Sequence, residues 1–267
     1  MAQAALAKRI VVKVGTSTIT HENGKPDIRC IERLCRVLAD ICNGGREIVL
    51  VTSGAVGIGL GRLGITERPA DIAERQAMAA IGQCELMFMY DKFFTEYGRM
   101  CAQVLLTSDT VDDETRRTNV TNCISSLLAR SIIPVVNEND AVSVDELEGH
   151  NIGDNDNLSS IVARLIGADA LILLTDIDGL YDRDPRSCPD AVKIPVVMEI
   201  TDSIREYAGG SGSKRGTGGM NTKLSAAESA CRAGIDAYII GGDNPESIYS
   251  LLEGGQVGTH FVPPRKQ

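Results

Sequence analysis

Lys13 stands inside an apolar run, Arg9–Val14, and is followed at once by Gly15, Thr16 and Ser17. A lysine in such a run is commonly a snorkelling surface residue whose stem covers apolar neighbours. Followed by Gly-Thr-Ser it has a second use. Its ammonium can point across the strand end while the glycine lets a phosphate approach the backbone. A second candidate is the glycine-rich, basic run of residues 209–219, which leads through Met220 into Asn221, Thr222 and Lys223. Glycines, free N–H groups at a helix N-terminus and a nearby lysine make a phosphate cradle. On glycine content alone, a solvated linker reads equally well. No GxxxxGKS or GxxxxGKT string exists, so this is not a P-loop of the common kind. The third candidate, Gly153-Asp154-Asn155-Asp156-Asn157, opens a helical stretch. Asp and Asn are preferred N-caps, but one cap suffices and four polar residues in a row exceed that need. Asp156 is suited to holding two lysines, and Asp154 and Asn155 to binding an ammonium or carboxylate group.

These residues need elements to position them. Apolar runs without polar alternation, at Arg9–Val14, Glu47–Thr52, Cys101–Leu106, residues 132–136, Ala170–Thr175 and residues 236–240, predict strands buried on both faces. Helical spacing predicts helices over residues 27–42, 55–63, 71–97, 115–130, 155–166, 220–233 and 245–251. Residues 141–147 read as one strand of a small hairpin. Strands alternating with helices imply an α/β fold with a mainly parallel sheet and helices on both faces. Ligands of such sheets sit beyond the carboxyl ends of the strands. Four polar or glycine-rich segments fall there: Lys13 to Ser17, Thr52-Ser53-Gly54-Ala55, Asn137-Glu138-Asn139-Asp140, and Thr175-Asp176.

Composition narrows the chemistry. A hydrophobic content of 43% over 267 residues supports a sizeable core, and the absence of Trp makes it mostly aliphatic. A formal net charge of -9 argues against a nucleic-acid or membrane-surface binder. It also requires that an anionic ligand be met by locally gathered positive groups. The eight cysteines include no CxxC pair or zinc spacing, so they read as small apolar core residues in a reducing compartment. No secretory signal and no membrane span is evident, which makes the cytoplasm the expected location.

Two features are decoys. Gly59, Gly61 and Gly64 match GxGxxG, but the preceding strand ends at Thr52. The glycines therefore lie in or after a helix and not at the strand-to-helix turn that dinucleotide binding needs. His21, His150 and His260 form no triad or metal spacing and are read as incidental.

Taken in order, VVKVGTS at residues 11–17, VTSGAV at 51–56, VVNENDAV at 135–142, GDNDNLS at 153–159, LLTD at 173–176, GLY at 179–181, DPR at 184–186 and GTGGMNTK at 216–223 closely resemble the glutamate 5-kinase branch of the amino acid kinase family. The match runs from about Arg9 to about Phe261. The pairing of Asn-Glu-Asn-Asp with Gly-Asp-Asn-Asp-Asn separates this branch from acetylglutamate, aspartate, carbamate and uridylate kinases of the same fold.

The resemblance implies a three-layer αβα sandwich in a single domain. Residues of about 9–168 would serve mainly the amino-acid substrate and about 169–262 mainly the nucleotide. It implies ATP-dependent phosphorylation of the L-glutamate side-chain carboxylate, the first step of proline synthesis. Lys13 and Lys223 match the lysines that contact the transferring phosphoryl group, and Asp156 matches the residue that orients them. Ser53, Gly54, Asn137, Asp140, Asp154 and Asn155 match the substrate site. Lys13, Gly15, Thr16, Ser17, Thr175, Asp176, Thr217, Gly218, Gly219, Met220, Asn221, Thr222 and Lys223 match the nucleotide site. Mg²⁺ is expected to arrive with ATP, held mainly by its phosphates. A homo-oligomer (dimer or tetramer), feedback by proline through residues of about 54–80, and delivery of the product to a glutamyl phosphate reductase are also implied. Many bacterial members carry a C-terminal PUA domain, which is not expected here. The competing expectations are a sister kinase for another carboxylate or a nucleotide, and a non-catalytic sensor of amino acid or nucleotide.

Overall fold

The computed structural model describes residues 3–107, 110, 113–142, 155–208 and 219–264. Its frame is an eight-stranded sheet. The strands, in chain order, are β1 (Arg9–Val14), β2 (Glu47–Thr52), β3 (Cys101–Leu106), β4 (Ile133–Glu138), β5 (Ala170–Thr175), β8 (Val196–Val197), β9 (Asp236–Gly241) and β10 (Thr259–Phe261). Their spatial order is β3-β4-β2-β1-β5-β9-β10-β8. Every pairing from β3 to β9 is parallel, and only β10 runs antiparallel to β9. The carboxyl ends of β1, β2, β4 and β5 therefore share one edge. A two-stranded ribbon, β6 (Leu180–Tyr181) with β7 (Lys193–Ile194), stands apart.

Side chains alternate across a strand, and here alternation sorts the core into two layers. Ile10, Val12 and Val14 of β1 face one layer with α3 (Ile28–Asn43), α4 (Ala55–Leu63), α5 (Ile72–Glu96) and α10 (Ser247–Leu252). Val11 faces the other, with α6 (Glu114–Leu128), α7 (Asn155–Leu165) and α9 (Met220–Arg232). The core is almost entirely Ile, Val, Leu and Ala, each large one contributing about 1.5–3 kcal/mol on burial. Short helices α1 (Gln3–Leu6), α2 (Thr16–Ile19) and α8 (Asp202–Tyr207) complete the described elements. None of the described helices is long and apolar enough to cross a membrane.

Two of the GxGxxG glycines, Gly59 and Gly61, have a packing role. A Cβ on Gly59 would lie 2.0 Å from the Met78 carbonyl oxygen, and one on Gly61 would lie 2.4 Å from that of Gly24. Gly82 on α5 completes the contact, since its Cβ would lie 1.8 Å from the Ala55 carbonyl oxygen. Helices α4 and α5 thus touch backbone to backbone.

Two expectations are corrected. Ala141 and Val142 form a turn and no strand, and the rest of the expected hairpin lies outside the described residues. Only Cys30, Cys35 and Cys231 are buried, whereas Cys84 and Cys123 are exposed on helix surfaces. All eight are free thiols, and burial pushes Cys30 up to about 11 and Cys231 to about 12. The segment after Gly15 forms the short helix α2, which was not anticipated.

Candidate active site

Because Lys13 shares the parity of Val11, its side chain lies under α7 and α9. Those two helices pack against each other and lower one charged residue each onto it. Lys13 Nζ lies 2.5 Å from Asp156 Oδ1, and Lys223 Nζ lies 3.0 Å from Asp156 Oδ2. Lys13, Asp156 and Lys223 are 3%, 0% and 7% exposed. Burial alone would raise the Asp156 pKa, but the two ammoniums hold it well below the ordinary 3.8. The Thr222 hydroxyl lies 2.8 Å from both Asp156 Oδ2 and the Gly219 carbonyl, tying the first turn of α9 to the same carboxylate. Two ammoniums against one carboxylate leave one net positive charge in a chain whose total is -9.

The neighbouring residue, Asn155, turns the other way. Its Nδ2 donates to the Thr52 carbonyl at 2.8 Å, to Ser53 Oγ at 2.9 Å and to Asn137 Oδ1 at 2.9 Å. Asn137 Nδ2 in turn donates to Gln83 Oε1 at 2.7 Å. The ends of β2 and β4, the start of α7 and the middle of α5 are thereby joined by one chain of buried amides. Asp140, 7% exposed, follows the end of β4. Gln83, Glu138, Asn139 and Asp140 line a cleft of about 400 Å³ that opens beside this chain.

Helix starts differ in how they are capped. The side chains of Asp27, Asp71 and Asp113 cap α3, α5 and α6. Gly15, Gly54 and Gly219 begin α2, α4 and α9 without a side-chain cap. No side chain takes up the first-turn N–H groups of those three helices, the arrangement an anion site uses. Gly54 adopts φ 98°, which favours glycine.

On the other side of β1, Thr175 Oγ1 donates to Asp176 Oδ1 at 3.0 Å beyond β5. Arg186 reaches Asp176 at 3.4 Å and Asp184 at 3.1 Å. Met220, with Tyr181, Pro185, Arg186 and Tyr207, lines a small cleft there. The Gly242 amide donates to the Thr175 carbonyl at 2.7 Å, and a Cβ on Gly242 would meet Thr18 at 2.7 Å.

The structure thus brings together Lys13, Asp156, Lys223 and Thr222 as one cluster, and Ser53, Asn137 and Asn155 as a second beside it. Gly15 adjoins the first, since a Cβ there would lie 3.6 Å from Lys13 Nζ. Thr16 packs against Gly54, and Ser17 is half-buried in α2. Asn221 is exposed and its carbonyl accepts from Ser225. Asp154, Thr217 and Gly218 lie outside the described residues, as does His150. His21 is exposed, and His260 stacks on Tyr238 and bonds Asp236 at 2.6 Å, away from the lysines. Gln83 was not anticipated. Its signal is one amide on the buried face of α5, in step with Ala79, Leu86 and Tyr90.

Comparison with known proteins fits this arrangement. Residues 8–241 match the model of the amino acid kinase family. The chain is 55% identical to the glutamate 5-kinase of Clostridium perfringens over 257 residues, covering 96% of each. It is 50% identical to that of Listeria innocua, covering 98% of this chain and 95% of the relative. With that of Caldanaerobacter subterraneus it shares 49%, covering 96% of this chain and 68% of the longer relative. Among solved structures, UMP kinase from Bacillus anthracis superposes with a TM-score of 0.67 at 16% identity, covering 97% of each chain. Carbamate kinase from Giardia lamblia gives 0.66 at 16% identity over 97% of this chain and 99% of that one. At those identities the structures speak for the fold alone. The sequence matches, with the two lysines held on one buried aspartate, place the chain in the amino acid kinase family, in its glutamate 5-kinase branch.

Proposed function

We propose that this protein transfers the γ-phosphoryl group of ATP to the side-chain carboxylate of L-glutamate, giving L-glutamyl 5-phosphate and ADP, the entry step of proline synthesis. The observation that carries the reading is the buried Lys13–Asp156–Lys223 bridge at the carboxyl edge of the sheet, flanked on one side by an amide chain suited to an amino acid and on the other by Thr175 and Asp176 at the end of β5.

The nucleophile needs no base. A glutamate side chain has a pKa of about 4.3 and is already ionised near neutrality. The obstacle is repulsion between carboxylate and triphosphate, which positioning and charge neutralisation overcome. Lys13 and Lys223 meet the transferring group, and Asp156 fixes their ammoniums. A carboxylate oxygen forms the new bond to phosphorus as the bond to the β-γ bridging oxygen breaks, and its electrons leave with ADP. Mg²⁺ enters with the nucleotide as part of that substrate and neutralises phosphate charge.

Ser53, Gly54, Asn137, Asp140 and Asn155 bind glutamate, with Asp154 joining them. The amides at Gly15–Ser17 and Gly219–Lys223, with Thr175, Asp176, Thr217 and Gly218, bind the nucleotide. On this division, residues of about 9–168 serve mainly the amino acid and about 169–262 mainly ATP. A homo-oligomer, inhibition by proline through residues of about 54–80, a cytoplasmic location and onward reduction of the acyl phosphate belong to the same reading, supported by the sequence resemblance.

The test is ADP release from Mg-ATP across L-glutamate, N-acetylglutamate, aspartate, carbamate and UMP. Turnover with L-glutamate is the expected result. Turnover confined to another acceptor would move the protein to a sister activity. ATP binding with no turnover on any acceptor would make it a sensor.

A further inference from the structure

The buried amide chain has a direction, and one backbone atom sets it. The Thr52 carbonyl can only accept, so the Asn155 atom 2.8 Å from it is the NH₂ nitrogen. That nitrogen also faces Asn137, which must answer with its oxygen at 2.9 Å. Asn137 therefore turns its NH₂ to Gln83, which accepts through Oε1 at 2.7 Å. The two atoms left over are a donor at one end, Gln83 Nε2, and an acceptor at the other, Asn155 Oδ1. Both are buried without a hydrogen-bond partner among the described residues. Gln83 and Asn155 are only 9% and 2% exposed. Orphaned buried amide atoms are rare because each forfeits its hydration. Two at opposite ends of one chain, beside a cleft of about 400 Å³ that Gln83 itself lines, are groups waiting for a ligand.

Resting on the glutamate-kinase reading above, we propose that Gln83 is a specificity-determining residue: its Nε2 receives the substrate's α-carboxylate, while Asn155 Oδ1 receives the α-ammonium. The remaining wall of the cleft agrees. Glu138 and Asp140 line it from β4 and the turn beyond, so a bare second anion is disfavoured there. A zwitterion offers its ammonium to the acceptors and its carboxylate to the unpartnered donor of Gln83. A site built to donate to a group rejects analogues that cannot accept.

The test compares L-glutamate with its α-amide, in which a carboxamide replaces the α-carboxylate and the reacting side chain is untouched. Gln83→Glu keeps the acceptor facing Asn137 and replaces the outward donor with an acceptor. The expected result is a rise of about tenfold to a hundredfold in the glutamate KM, the size of one hydrogen bond to a charged group, with kcat little changed. The ratio of kcat/KM for the α-amide over glutamate should rise by a similar factor or more. Gln83→Met, which fills the same space without a donor, should raise the glutamate KM more than that of the α-amide, whose carbonyl oxygen loses only a neutral hydrogen bond. Equal losses for both substrates in both variants would reduce Gln83 to a structural residue and overturn the proposal, as would an unchanged glutamate KM. Wild-type protein without glutamate turnover would instead overturn the kinase reading, and calorimetric binding of glutamate against its α-amide would still decide the role of Gln83.

Discussion

At the scale of residues, the account turns on charge held out of water. Lys13 and Lys223 are buried because Asp156 neutralises part of their charge, and each is useful because the neutralisation is incomplete. Removing one donor aimed at developing charge typically lowers turnover by about 10²–10³. Lys223→Ala should fall in that range with a modest change in glutamate KM, measured by steady-state ADP release. Asp140→Ala should act on the other parameter, raising the glutamate KM most. Asp156 also carries a stability prediction. Its folded pKa lies below the ordinary 3.8, so its stabilisation is complete above that value and is lost as pH falls below it. Asp156→Asn should therefore cost about 3–5 kcal/mol at pH 7, read from urea unfolding. That gap should narrow below pH of about 4, as the Asp156 carboxyl of the unfolded wild-type chain takes up a proton that the folded state still excludes. Lys13 and Asp156 were legible in the sequence because a charge in an apolar strand, and surplus polar residues at a helix start, each need a partner. Gln83 was not legible, because one glutamine on a long helix resembles a surface residue until the fold shows which face is buried.

At the scale of elements, capping and close packing divide the work. The Asp-capped helices satisfy part of their own first turns, whereas the glycine-started α2, α4 and α9 have no side-chain cap. The α4–α5 contact holds Gly54 and Gln83, both proposed to serve the substrate, at a fixed separation. Gly82→Ala would place a methyl 1.8 Å from a carbonyl oxygen of α4. It should destabilise the fold by about 3 kcal/mol or more, seen as a lowered thermal midpoint, and it should raise the glutamate KM of whatever remains folded. The long elements were readable because apolar runs and helical spacing persist over many residues. Their observed bounds shift by only one or two residues, as with Ile72–Glu96 against the expected 71–97. The two- and three-residue strands β6, β7, β8 and β10 were missed, since so few residues carry no period. Backbone pairing with neighbours distant in sequence creates them. The short helix α2 was missed for the same reason.

At the scale of the whole molecule, a chain of net charge -9 binds anions at one place because the parallel sheet collects strand ends there. β1 lies at the centre of that edge, with β2 and β4 on one side and β5 and β9 on the other. The proposed amino-acid and nucleotide halves would thus meet over Lys13. Strand and helix alternation made this architecture legible from the sequence, and the family motifs made its chemistry legible. The cooperation among Gln83, Asn137, Asn155 and Ser53 spans 103 positions of chain from Thr52 to Asn155 alone, a distance no local pattern bridges. The most direct measurement of the central claim is a trapping experiment. Wild type and Lys223→Ala are incubated side by side with Mg-ATP, L-glutamate and hydroxylamine, and both glutamyl hydroxamate and ADP are counted. The account predicts hydroxamate in step with ADP from wild type, and both reduced about 10²–10³-fold in the variant. ADP without hydroxamate, or hydroxamate formed at the full rate by the variant, would contradict it.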